Sequence, residues 1–197
     1  MCRLHAQLAA LIPGGVPGEM TAERARTVLR TIPAPDGVIA ERRRQTADLI
    51  SDVARLDIEI KVIKAGTRLA VKATKTSLVE LHSVGPIVAA LVLGHSGDVT
   101  RFASRHHYAS YDGTAPLEAS SGPKTRHRLN TCGNRQLNQA MHMIAITQIR
   151  NDTPGRAYYH RKIEEGKTKK EALRALKRRV SDAVYRQLLV DAQRTRT

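Results

Sequence analysis

Two adjacent serines, Ser120 and Ser121, lie between Pro116 and Pro123 in a stretch that continues as Gly122-Pro123-Lys124-Thr125-Arg126-His127-Arg128. A serine hydroxyl that attacks a phosphodiester needs exposure, a route for its proton, and cations over the phosphoryl oxygens. This stretch offers exposure and three cations, Lys124, Arg126 and Arg128. The prolines restrict the backbone, and Gly122 lets it approach a phosphate closely. A plain polar loop touching phosphates has the same composition, and on spacing alone that is the simpler reading.

Metal chemistry finds less support. The chain has 8 histidines, but none stands at ligand spacing from a cysteine or carboxylate. His106 and His107 are adjacent and so point different ways on a helix or strand. No Cys-x-x-Cys or His-x-Glu-x-x-His pattern occurs, so no metal site is expected in this chain. A two-metal nuclease needs converging carboxylates. Beyond residue 100 the carboxylates are Asp112, Glu118, Asp152, Glu164, Glu165, Glu171, Asp182 and Asp191. Of these, Glu164, Glu171, Asp182 and Asp191 read as solvated helix positions.

The charge points to a polyanion. Among 197 residues, 33 Lys and Arg face 18 Asp and Glu, a net charge of +15. Residues 1–100 carry only +3 of this, and residues 101–197 carry +12. Solubility alone does not require such confinement, so the second half is expected to hold the nucleic-acid surface. Aromatics make up only 3%, with no Trp and one Phe, which weighs against base-stacking single-strand binders. Two cysteines, Cys2 and Cys132, suit a reducing cytoplasm rather than a disulfide scaffold. The longest apolar run, Val84 to Gly94, is too short to span a bilayer, and no secretion signal is read at the start.

The elements that must position these residues read as helices. Leu4, Leu8 and Leu11 share one face and look like the end of a helix entered part-way. A helix over Thr21 to Thr31 is expected, with Thr21 as its cap. Leu49, Val53, Leu56, Ile60 and Ile63 alternate steps of four and three, the seam spacing of a coiled coil, and Ala70 extends it. Packing inside a bundle gives the same pattern, and self-association is placed slightly ahead. Leu78 to Ser104 reads as two short helices around Ser83-Val84-Gly85-Pro86, like a helix-hairpin-helix that offers backbone N–H groups to a phosphate. An ordinary helical hairpin with Pro86 at the first helical position fits equally well. Tyr108 to Arg128 reads as loop. Helices follow over Asn134 to Arg150 and Arg156 to Glu165, the second after a break at Thr153-Pro154-Gly155. Thr168-Lys169-Lys170-Glu171 is a capping box that opens the last helix.

Several runs resemble a known family. They are Leu81 to Pro86, Gly97 to Phe102, Tyr111 to Gly122, Gly133 to Asn138, Gly166 to Thr168 and Ala172 to Arg178. Together they resemble the insertion-sequence transposase family one-ten, also called one-sixteen/nine-oh-two. The resemblance covers nearly the whole chain and is most specific from Ser77 onward. It implies an N-terminal RuvC-like nuclease domain with four acids and divalent metal, a coiled-coil insert, and a C-terminal domain whose serine joins covalently to DNA. A structured RNA from the element serves as guide in this family. The family pattern of a proline, a spacer and Ser-Gly falls on Pro116 and Ser121-Gly122, with Ser120 as the alternative register. None of the RuvC-like acids has a counterpart here. The resemblance therefore implies a truncated copy, with metal expected only in the missing domain.

The expected protein is mainly α: a long coiled-coil-like helix followed by a compact helical domain with a helix-hairpin-helix-like segment. Residues 1–37 are read as remnant and connector, 38–75 as the long helix, and 76–197 as the transposase domain. The expected function is DNA binding by the C-terminal part of a transposase; the alternative is a non-catalytic basic helical module. The candidate catalytic residues are Ser121 and Ser120. Gly85, Lys124, Arg126, Arg128 and Arg135 are the candidate nucleic-acid contacts. The expected partners are DNA, a guide RNA and further copies of the chain, with no membrane and a cytoplasmic location.

Overall fold

A computed structural model describes residues 2–12, 16, 20–33, 37–118, 127–128 and 132–196. Among these the chain is mainly α, as expected. It forms α1 (Cys2–Leu11), α2 (Ala22–Thr31), α3 (Val38–Ala73), α4 (Pro86–Ser96), α5 (Arg105–Tyr111), α6 (Arg135–Arg150), α7 (Pro154–Glu164) and α8 (Lys169–Arg196). Two 3-10 turns, Ser77–Glu80 and Val99–Arg101, flank α4. Two short strands, β1 (Leu117–Glu118) and β2 (His127–Arg128), pair antiparallel, with Leu117 opposite Arg128 and Glu118 opposite His127. None of the described helices is long and apolar enough to cross a membrane.

The chain divides into two compact units, residues 1–66 and 67–197. The first unit buries Leu4 and Leu8 of α1, Ala25 and Leu29 of α2, and Ile50 of α3 around Met20 and Ile32. These are the one-face positions of short amphipathic helices, and burying them offsets the entropy of ordering the segment. Thr21 caps α2 as its sequence predicts, accepting from the Arg24 N–H at 3.2 Å.

Helix α3 departs from a single continuous seam. Leu49 and Val53 pack against the core of the first unit. Leu56, Ile60 and Ile63 do not, and remain 46%, 46% and 66% exposed. At 100° per residue, Ile58, Val62 and Leu69 fall on the opposite side of the helix and are also exposed. The polar strips between the two apolar ones carry Asp57, Lys61, Lys64 and Arg68 on one side and Arg55 and Glu59 on the other. The helix thus has two apolar faces, and the spacing read from sequence captured one. Its exposed ion pairs, Arg44 with Glu41 and Asp48 and Arg55 with Asp52 and Glu59, are spaced three or four residues apart. Exposed pairs of this kind are screened by solvent and add little to stability.

The second unit packs α4, α5, α6 and α8 around Tyr108, Leu137, Met141, Ile144, Leu176 and Val184. The Tyr108 hydroxyl is buried and pairs with Ser96 Oγ at 2.8 Å. Its ring meets Phe102 edge-on at 5.2 Å and lies 5.5 Å from Tyr185. The Tyr185 hydroxyl donates to the Phe102 carbonyl at 3.0 Å. The capping box holds: the Thr168 N–H donates to the Glu171 carboxylate at 2.9 Å, and Thr168 Oγ1 accepts from the Glu171 N–H at 3.3 Å.

Several readings change. Residues 105–111 are helical, capped by Ser104, where loop was expected. Pro154 does not break the chain; it is the first residue of α7, with Thr153 as cap, because a helix's first N–H has no partner to lose. Around Gly85 only a single 3-10 turn precedes α4, so the segment lacks the first α-helix of a helix-hairpin-helix. Asp191 is not solvated. Its carboxylate accepts from Thr76 Oγ1 at 2.6 Å and from the Ser77 N–H at 3.0 Å, tying the end of α8 to that turn. Asp182 is also mostly covered, paired with Arg178 at 3.0 Å.

Candidate nucleic-acid interface

Of the residues singled out by sequence, Ser120, Ser121, Lys124 and Arg126 lie outside the described residues. Arg128 is placed by its backbone in β2. Arg135 is exposed at the first position of α6, just after its cap Asn134. Gly85 caps α4 with φ −84°, and a Cβ there would meet nothing within 4 Å. The structure therefore describes the neck from which residues 117–128 depart, and that neck is elaborately bonded.

Its outgoing side is the turn after α5. The Thr114 and Ala115 N–H groups both donate to the Ala109 carbonyl at 2.9 Å. Asp112 Oδ1 accepts from the Thr114 N–H at 2.9 Å and from Thr114 Oγ1 at 2.7 Å, a side-chain turn of the kind Asp favours. Gly113 takes φ +74°, a conformation that costs a side-chain-bearing residue energy. The returning side is fixed to the outgoing one. The Asn134 N–H donates to the Tyr111 carbonyl at 2.6 Å, and Asn138 Nδ2 donates to the Asp112 carbonyl at 3.0 Å. Gly133 and Gly113 press backbone to backbone: a Cβ on Gly133 would lie 2.4 Å from Gly113 Cα and 2.5 Å from its N.

Helix α8 supplies the floor. Lys177 is buried, and its Nζ donates to Asn138 Oδ1 at 2.6 Å. Burial pulls the Lys177 ammonium below the usual lysine range, while the Asp112 charge opposes that pull. Asp112 itself is fully buried. Burial raises its carboxyl above the usual carboxylate range, against the Ser181 and Thr114 hydroxyls and the Arg178 charge, which favour the ionised form. Ser181 Oγ lies near enough to act on the carboxyl but short of good hydrogen-bond geometry, and Asp112 Oδ2 has no other partner among the described residues. Asp112, Asn138 and Lys177 fall in runs that carry the family resemblance, but the sequence assigns none of them, nor Ser181, a role at the site. The one local signal was Asp112-Gly113-Thr114, a side-chain turn pattern.

This arrangement ties the segment after α5 to the start of α6. Among the described residues, no group of three His, Cys, Asp or Glu side chains is placed to hold an ion. The neck's acid is enclosed by hydroxyls and cations, so its donor set does not fit a divalent metal.

Residues 75–160 match the family model described as transposase IS116/IS110/IS902 family. Curated relatives are similar over more of the chain. A Streptomyces coelicolor protein described as the insertion element IS110 uncharacterized 43.6 kDa protein is 34% identical over 132 residues, covering 61% of this chain and 33% of its own. A Mycobacterium paratuberculosis protein of insertion element IS900, uncharacterized and of 42 kDa, is 31% identical over 150 residues, covering 72% and 37%. An IS116 protein of Streptomyces clavuligerus is 29% identical over 172 residues, covering 84% and 41%. The chain thus spans about a third to two fifths of the length of the curated relatives it matches.

Two expectations follow from the neck. Gly133→Ala forces a methyl into the Gly113 backbone and should cost about 1–3 kcal/mol, as overpacking does. Gly85→Ala, with open space around it, should stay within about 0.5 kcal/mol. Denaturant unfolding of both variants checks the pair, and equal stabilities would refute the close-approach account.

The second concerns pH. Because the folded Asp112 holds its proton more tightly than an unfolded Asp of pKa about 3.9, its burial cost is absent below that value. The cost appears as pH rises through the folded pKa. Asp112→Asn should therefore gain stability relative to the parent between about pH 4 and 7. His142, whose pKa burial lowers, is present in both proteins and cancels in the difference; Lys177 does not, because the Asp112 charge that raises its pKa is removed in the variant. A difference that is flat or falling over this range would refute the raised pKa.

Proposed function

Because the chain belongs, through its residues 75–160, to the IS116/IS110/IS902 transposase family, we propose that it is the DNA-holding portion of an insertion-element transposase. The observation that carries the reading is the neck. Asp112, Asn138 and Lys177 bond together the two chain segments between which the sequence carries Lys124, Arg126 and Arg128, in a half-chain of net charge +12. Phosphate contacts of this kind give affinity without sequence reading. Within that loop Ser121, with Ser120 as alternative register, is the proposed nucleophile: its Oγ bonds to phosphorus, and the displaced DNA oxygen takes up a proton. Divalent metal and the acids that hold it belong, in this proposal, to a RuvC-like partner domain. A structured RNA is the proposed guide.

Duplex DNA should bind with affinity that falls by orders of magnitude between about 50 and 200 mM salt. Ser121→Ala should change that binding by no more than the worth of one hydrogen bond, about 0.5–1.5 kcal/mol. It should nonetheless abolish strand exchange once a RuvC-like domain and guide RNA are supplied, with Ser120→Ala as the register control. Affinity flat across the salt range would overturn the DNA-holding reading. Full exchange by both single variants and the double variant would overturn the nucleophile.

The exposed strip of Leu56, Ile60 and Ile63 supports self-association through α3. Leu56→Glu sets a charge into that seam and should dissociate the oligomer. Light scattering decides it: a monomeric parent removes the idea.

A further inference from the structure

Arg101 stands apart from the other basic residues of the second unit. It ends the 3-10 turn that follows α4. Its guanidinium carbon lies 4.5 Å from the Phe102 ring centroid and 4.6 Å from that of Tyr111, and the two rings are 5.1 Å apart at 47°. Both rings therefore lie on one side of the guanidinium, and the residue remains exposed. Cation–ring contacts of this kind restrict the fork and leave the N–H groups on its open side available to an oxyanion. Arg101 forms no ion pair with any carboxylate among the described residues, unlike Arg44, Arg55, Arg161 and Arg178. Asp98, three residues earlier, has its carboxylate engaged by the Thr100 N–H and hydroxyl.

The position of Arg101 is equally specific. Tyr111, on which it stacks, closes the neck through its carbonyl, which accepts from the Asn134 N–H at 2.6 Å. The Tyr111 hydroxyl donates to the His95 carbonyl at 3.2 Å, so the ring is held from two sides. The Arg101 guanidinium beside that hydroxyl, followed by the Asn134 amide, pulls the phenol below its usual range. The cation is thus held against Tyr111, whose carbonyl ties in Asn134 at the start of α6.

We propose that Arg101, seated against the Phe102 and Tyr111 rings, is a phosphate-receiving site for duplex DNA at the neck, engaging one phosphodiester through two parallel N–H donors. This rests on the DNA-holding reading and locates one contact within it. A fixed fork loses little freedom on binding, so its contribution should exceed that of a mobile surface lysine.

The test is the salt dependence of binding to a labelled DNA duplex, with thermal unfolding measured alongside. Arg101→Gln should lower the magnitude of the slope of log affinity against log salt by about 0.9, the value of one phosphate contact. Arg101→Lys should keep most of the slope and lose affinity several-fold, because a point charge replaces the fork. A purely structural arginine would lower the melting temperature and leave the slope alone. An unchanged slope in Arg101→Gln overturns the proposal. If that variant does not fold, Arg101→Lys decides: parent-like affinity overturns the proposal and reduced affinity supports it. A slope change seen with duplex RNA and absent with DNA also overturns it. A parent whose own affinity ignores salt overturns the DNA-holding reading, and this site with it.

Discussion

The second unit depends on a buried carboxylate. Asp112 ends α5 with no exposed surface, and its backbone carbonyl and side chain bind the residues on either side of the neck. Burying a charge without partners is costly. The cost is only partly offset by Thr114 donating twice to Oδ1 and by Lys177 and Arg178 close by, so the carboxyl stays above its usual range. Lys177 carries the same logic onward, since its ammonium is buried and spends its short bond on Asn138. Helices α5, α6 and α8 are thus locked by polar contacts where the segment after α5 meets the start of α6. Apolar packing around Tyr108 and Leu137 fixes the rest.

A locked base in the basic half of the chain suits the proposed grip on phosphates. Electrostatic attraction draws the polyanion in, and rigid donors set its register. The stacked Arg101 belongs to the same economy, because its plane is set before any phosphate arrives. In the first unit the principle differs. Short helices close on Leu8 and Ile50, while the exposed length of α3 keeps two apolar faces open.

What was legible in the sequence was local. Thr21 and the Thr168–Glu171 box satisfy helix N–H groups three residues away, so their spacing announces them. Leu137, Met141 and Ile144 of α6 and Ala172, Leu176, Val180, Val184 and Leu188 of α8 recur three or four residues apart and are buried. The neck was not legible, because Asn138 meets Asp112 across 26 residues and Lys177 meets Asn138 across 39. A lysine in a basic helix gives no local sign that it is buried. Asp191 was misjudged for the same reason, since its partners Thr76 and Ser77 lie more than 110 residues away. The short α5 was missed because Arg105-His106-His107 carries no apolar period, and its cap Ser104 was read as the end of the preceding helix. The transposase reading came from resemblance, which spacing and charge alone did not supply.

The central claim is that DNA is held at the neck. Amide hydrogen exchange with and without duplex DNA tests it directly. The account predicts that bound DNA slows exchange at Tyr111 to Ala115 and Gly133 to Asn138, around the loop's two ends. Protection confined to other helices, with the neck amides exchanging as fast as in the free protein, would contradict it.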